Sequence, residues 1–507
     1  MSLVTAISDG ISDRLNPIVI KELRQAVQSR FVTVAMMIFL GIQVLVIGMF
    51  LLFDRSVATD FSSGAEVFAV LQGILVATCI LFVPVYTGIR LAAERSRVDL
   101  MFISAIKPWS IVRGKFLAAA VLTVLLFAAC MPFMTFTYLL RGIDLPSIFL
   151  VMAIGFLLVL AAAQAAILWA SIPGNLVVMI VLGIPLGISL LQGAGLAVGL
   201  LGSAAYTGIA SEIWTWGFWG IAGTVLFCGA AAFGLMMSLS VAMLSPPSAN
   251  RMLPVRIYLT IIWLLSAAVA GIWAYVESDN IPIFVWCVTC VIVFTGAMLI
   301  AVCEREHWGP RVARKIPRNL LLRPWAFLFF TGWAGGVAWC VILTALTLVG
   351  GAIAMHQTGF GVDWDDFAGV VGLALYAYAY PMTALLVRRT FFRNRIKCGL
   401  TWLLAAAIFV AATVLPILTY FMIHYDRMDH IDNRGIWLAG FPFMPFIEKD
   451  YLPKCLWFAG IWSFVVFVLS LMPFLLRYAA FKPYRTTPPP IPQTDQQPAD
   501  QARANNG

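Results

Sequence analysis

Charge is what this sequence has least of. Only 11% of its 507 residues are Asp, Glu, Lys or Arg, against 62% hydrophobic ones, and an ordinary soluble domain carries roughly 25% charged residues. A soluble fold has no way to hide that much apolar surface. The charges are also missing in a pattern, because none lies deep in any of the long apolar runs. Ion-coupled carriers commonly hold an ionisable group at the middle of the membrane, so its absence weighs against proton coupling and against a proton-relay enzyme. Nucleotide and zinc signatures are lacking as well. Gly114-Lys115 is followed by Phe116 and has no upstream glycine of a G-x-x-x-x-G-K-[ST] loop, and no H-E-x-x-H occurs. The expectation is a chain that is not itself an enzyme and holds neither cofactor nor metal. No cleavable leader is expected either, because residues 1–30 are polar and amphipathic and the first apolar run is long enough to remain as a span.

What the sequence has in abundance is apolar runs of about 20 residues, each enough to cross roughly 30 Å of hydrocarbon. They predict an all-α polytopic membrane protein with twelve spans, near 31–53, 67–89, 116–140, 148–171, 175–202, 217–244, 257–276, 281–303, 325–354, 367–387, 398–424 and 455–476. With the N-terminus inside, the inner segments hold 27 of the 33 Lys and Arg residues and the outer loops only Arg55, Arg141, Arg427, Arg434, Lys449 and Lys454. The positive-inside rule therefore puts both termini in the cytoplasm. On this reading the net charge of +9 orients the chain and attracts anionic head groups; it is no nucleic-acid footprint. The nine cysteines lie in spans or at their ends, and Cys287 and Cys290, a C-x-x-C inside a span, read as packing.

Five regions follow from this layout. Residues 1–30 hold an amphipathic interfacial helix starting at Asn16 and Pro17, with Ile20, Leu23, Val27 and Phe31 on one face and Lys21, Glu22, Arg24, Gln25 and Gln28 on the other. Residues 31–244 form a first six-span unit whose cytoplasmic loop, 90–115, has room for two short helices separated at Pro108, with the apolar run Leu100 to Ile103 needing cover. Residues 245–256 are a short linker. Residues 257–476 form a second six-span bundle with its own basic loop at 304–324, where Cys303-Glu304-Arg305 echoes Ala93-Glu94-Arg95. A 6+6 duplication is one of two open readings of that echo. Residues 477–507 are a cytoplasmic tail, Pro- and Gln-rich from Thr486 and expected to be disordered.

Two outer loops carry metal-ligand types: Asp426, Asp429, His430 and Asp432 with His424, and Asp363, Asp365 and Asp366. Nothing in the spacing fixes these side chains in one geometry, so a solvated loop is the stronger reading. The aromatic stretch that follows, up to residue 454, has the composition of a segment dipping back into the interface.

The opening N-P-x-x-x-K-E-L-R-Q-x-x-x-S-R and the later E-R-x-x-x-D-L-x-x-x-S-x-x-x-x-x-x-I-x-x-G-K resemble the type-2 ABC transporter permeases over residues 16–30 and 94–115; the likeness is looser through the rest of the first half and only positional in the second. The resemblance implies an N-terminal interfacial helix carrying Asn16, Pro17, Lys21, Glu22, Leu23 and Arg24. It implies an ATPase-coupling region at Glu94, Arg95, Asp99, Leu100, Ser104, Gly114 and Lys115, with Glu304 and Arg305 as a second such loop. Val98, Asp99, Leu100 and Met101 depart from the family's usual coupling-helix core. The partners implied are a dimeric cytoplasmic ATPase holding ATP and Mg, the bilayer of the plasma membrane, and a second copy of this chain if the second half is not a fused permease unit. The implied activity is export of an unidentified cargo, apolar or lipid-like. A secondary carrier that works without an ATPase, or an enzyme at the outer face resting on the acidic loops, are the alternatives.

Overall fold

A computed structural model describes residues 17–53, 63–94, 107–140, 143–172, 176–207, 214–246, 248–305, 308–358, 364–392, 395–423, 439–447 and 449–483. Among the described residues there are helices and no strands, the outcome expected when every backbone polar group must be satisfied within its own segment. In chain order the helices are α1 (Pro17–Val27), α2 (Arg30–Phe53), α3 (Ser63–Glu94), α4 (Pro108–Leu139), α5 (Leu145–Ser171), α6 (Leu176–Thr207), α7 (Trp216–Leu244), α8 (Leu253–Glu277), α9 (Ile281–Val302), α10 (Pro310–Ala313), α11 (Leu322–Phe329), α12 (Trp333–Thr358), α13 (Trp364–Thr390), α14 (Thr401–Ile423), α15 (Met444–Ile447) and α16 (Leu452–Ala480). Twelve of these are long and apolar enough to cross a bilayer, and each contains or overlaps one predicted span.

The helices cluster into two compact units, Met1–Pro246 with Pro254–Ile262, and Pro247–Leu253 with Trp263–Gly507, so the division runs through α8 rather than along a linker. In the first unit α3 is the central helix, packed by α4, α5 and α6. Its buried stripe of Phe68, Leu71, Leu75, Val76, Cys79 and Val83 forms the core with Leu122, Leu126, Val151 and Val159. Glutamines link helices here: Gln43 Nε2 donates to the Leu71 carbonyl at 3.3 Å and Gln164 Nε2 to Ser240 Oγ at 3.3 Å. Such amides hold helices together where the hydrophobic effect gives no preference for helix over lipid.

In the second unit α13 has α9, α14 and α16 around it. The described part of the aromatic stretch that ends at residue 454 packs among helices: Ala439, Gly440 and Pro442 are buried. The Tyr376 hydroxyl donates to the Ala439 carbonyl and lies 3.2 Å from the Cys455 carbonyl, and the Tyr380 hydroxyl donates to the Gly440 carbonyl. Replacing Tyr376 by Phe is expected to leave these buried carbonyls short of a donor and to cost about 1–3 kcal/mol, read as a lower midpoint of thermal unfolding in detergent.

Two expectations need correcting. Pro108 does not separate two short helices; it is the first residue of α4, where its missing N–H and fixed φ suit a helix start. The ninth span is not continuous from 325 to 354. It is broken at residues 330–332 into α11 and α12, with Phe330 extended and Gly332 at φ 153°, a conformation that side-chain-bearing residues rarely adopt.

Candidate functional site

Helix α1 owes its start to Pro17 and its amphipathic pattern to the following ten residues, but the face it buries is Val19, Glu22 and Ala26, packed on α4. Ile20 and Leu23 of the apolar face are only half-buried. A glutamate on the packing face of a helix needs a cation. Lys115, in the second turn of α4 and only 3% exposed, supplies it: its Nζ is 2.8 Å from Glu22 Oε1 and 2.8 Å from Glu94 Oε2 at the end of α3. Lys21 meets the other oxygen of Glu94 at 2.9 Å, and Arg90 reaches Glu22 Oε2 at 3.6 Å while donating to Gln25. The Arg90 guanidinium also lies 5.5 Å from the centre of the Tyr86 ring.

Three cations thus face two carboxylates where α1, the end of α3 and the start of α4 meet. Desolvating the two buried members, Glu22 and Lys115, is costly, and their close pairing offsets it. A cavity of about 10 Å3 lies against Glu22, Tyr86, Arg90 and Lys115, room for a single water, and the buried Tyr86 hydroxyl has no hydrogen-bond partner among the described residues.

The site unites residues that the sequence assigned to two separate segments. Lys21 and Glu22 of the interfacial helix and Glu94 and Lys115 of the loop are now one cluster, with Gly114 buried beside it and Arg24 exposed on α1. Asn16, Arg95, Asp99, Leu100 and Ser104 lie outside the described residues, as does the apolar run to Ile103. Arg90 was missed, although its place at the last turns of an apolar helix was a usable signal.

The chain matches no protein-family model, no curated protein and no solved structure. The likeness of its two motifs to a permease family therefore stands on those residues alone.

The second predicted loop is built differently. Glu304, buried just beyond the end of α9, accepts the Gly332 backbone N–H at 2.6 Å, placing a carboxylate at the positive end of α12. Asn250 Oδ1 accepts from the Thr331 N–H at 2.9 Å and from its hydroxyl at 2.7 Å, and Trp308 Nε1 donates to the Thr331 carbonyl at 2.8 Å. The break between α11 and α12 is thereby held on both sides. Arg305 is exposed. Burial, and then the like charge of Arg305, push the guanidinium of Arg251 below its ordinary value. Each unit thus has a glutamate that ties the end of one long helix to the start of another, Glu94 through Lys115 and Glu304 through Gly332.

As for metal, among the described residues no three His, Cys, Asp or Glu side chains converge. Asp366 pairs with Lys449 at 3.3 Å; Asp363, His424, Asp426, Asp429, His430 and Asp432 are outside the described residues. Cys287 and Cys290 are buried free thiols, with Cys287 Sγ 3.8 Å from the Thr347 carbonyl.

Proposed function

We propose that this chain is the membrane-spanning subunit of an ATP-driven exporter whose ATPase is a separate chain, with both termini and residues 90–115 on the cytoplasmic side. The observation that carries the reading is the ionic cluster of Glu22, Lys115, Glu94 and Lys21. The loop that the resemblance assigns to ATPase docking leaves α3 at Glu94 and enters α4 at Pro108, about two turns before Lys115. A force on that loop reaches both ends of the cluster, and through Glu22 it reaches α1. On this reading α1, α3 and α4 move together when a closing ATPase dimer pushes.

Coupling requires that the loop touch the ATPase differently in its two states; the chain itself contributes no nucleotide chemistry, and ATP and Mg belong to the partner. The lack of charged residues deep in the spans suits an apolar or lipid-like cargo moved by an external motor. Assembly through the first half would give a homodimer, and the bilayer would be the plasma membrane, the inner one in a Gram-negative host.

Reversing both charges with Glu94→Lys and Arg95→Glu is expected to leave membrane insertion intact while ATP hydrolysis in proteoliposomes no longer drives transport. Measuring both rates on the same vesicles is the check. Unchanged transport per ATP in the double variant would remove residues 90–115 from the mechanism.

A further inference from the structure

The segment between α9 and α12, which begins with the Glu304 and Arg305 that the resemblance assigns to a second coupling loop, carries a further surface built of other residues. Arg311, Arg314, Lys315 and Arg318 are all exposed on it. Arg311 and Arg314 line, with Ser248, Gly309 and Pro310, a shallow cavity of about 370 Å3. The residues that follow are apolar and outward: Leu320, Leu321 at 86% exposure, Leu322, and Trp325 at 66%. They are not the packing face of α11. That face is Phe327, which is buried and meets the rings of Phe474, Tyr478 and Phe481 at 5.9, 5.3 and 5.3 Å, while Arg323 lies 5.7 Å over the Tyr478 ring. α11 is thus fixed to the end of α16 by one side, and its Leu and Trp side is left exposed among the described residues.

We infer that residues 309–325 are an anchor for anionic phospholipid, with Arg311 and Arg314 taking the phosphate of a head group in the cavity and Leu320, Leu321, Leu322 and Trp325 entering the acyl boundary beside it. Four exposed cations next to three leucines and a tryptophan are complementary to a negatively charged bilayer surface, and to little else of that chemistry. The bilayer is at hand because the same segment runs directly into a spanning helix, α12. An ammonium-bearing zwitterionic lipid presents the same phosphate with its charge cancelled, so the anchor discriminates by charge. The inference goes beyond the transporter reading and needs only the membrane-spanning character of the chain.

The test uses the full-length protein in mild detergent, delipidated and offered phosphatidylglycerol or phosphatidylcholine of matched chains, with bound lipid counted by native mass spectrometry. The wild type is expected to retain phosphatidylglycerol roughly tenfold better, with Arg311→Gln plus Arg314→Gln bringing the two lipids near equality and Arg311→Lys plus Arg314→Lys keeping the preference. Leu321→Ser plus Trp325→Ser is expected to weaken retention of both lipids. Equal retention by the wild type, or a preference that survives the Gln pair, overturns the proposal. A Gln pair that binds lipid normally but sheds a co-purified protein overturns it too, in favour of a protein partner. Should the Gln pair lose its helical circular dichroism, the wild type decides alone: its preference must fall as salt is raised, and a salt-insensitive one refutes the anchor.

Discussion

Replacing Lys115 by Met is expected to cost about 3–5 kcal/mol of stability, the largest loss from any single charged residue at the site. The lysine is 3% exposed and is the only cation within 3 Å of Glu22 among the described residues. Without it Glu22, itself 5% exposed, keeps only the 3.6 Å contact with Arg90, and a carboxylate stays desolvated on the packing face of α1. Glu94 suffers less, because Lys21 still meets it nearer the surface. The measurement is thermal unfolding of the purified protein in detergent for Lys115→Met, Glu22→Gln and the double variant. The double variant is expected to lose less than the two single losses added, since neutralising Glu22 removes the buried charge that Lys115→Met exposes. Strict additivity would mean that the two side chains act independently.

Gly335→Ala is the second large effect. A Cβ at Gly335 would collide with the Phe327 carbonyl oxygen, a backbone atom in a helix that is itself held by the Phe474, Tyr478 and Phe481 rings. Neither side can yield cheaply, so α11 and α12 must separate, at about 1–3 kcal/mol or more. Gly350 lies in the same helix α12, and no neighbour among the described residues comes within 4 Å of where a Cβ would stand. Gly350→Ala is therefore expected to be neutral or to stabilise by a few tenths to about 1 kcal/mol through the unfolded chain. Parallel melting curves for the pair separate crowding at the helix junction from a general intolerance of alanine. Equal behaviour of the two would count against the close crossing of α11 and α12.

Each part of the structure was legible in the sequence to the degree that its physics is local. Twelve apolar runs translate into twelve long helices because length and hydropathy are properties of the segment alone. The break in the ninth run was not read, although Thr331-Gly332 marks it: Glu304, Asn250 and Trp308, which hold it open, come from other segments. The helical pattern of residues 17–27 was legible, yet it put Glu22 on the wet face. A wheel assigns faces by polarity and has no knowledge of a lysine 93 residues away. Lys115 offered a clue of its own, since it stands immediately before an apolar run and a cation drawn into a helix bundle needs a carboxylate. The two motifs contain Lys21, Glu22, Glu94 and Lys115 without showing that these side chains meet. Their pairing is tertiary, and only the packing of α1 against α4 reveals it.

If an ATPase on another chain drives this bundle, as proposed, the two chains should be recovered together. The most direct measurement is to purify the tagged protein from its native membrane in mild detergent and identify stoichiometric partners by mass spectrometry, for the wild type and for Glu94→Lys with Arg95→Glu. The account predicts a cytoplasmic ATPase with a phosphate-binding loop on the wild type, lost from the charge-reversed variant. Repeated recovery of the intact protein with no ATPase would contradict it, and a self-contained carrier would then be the better reading.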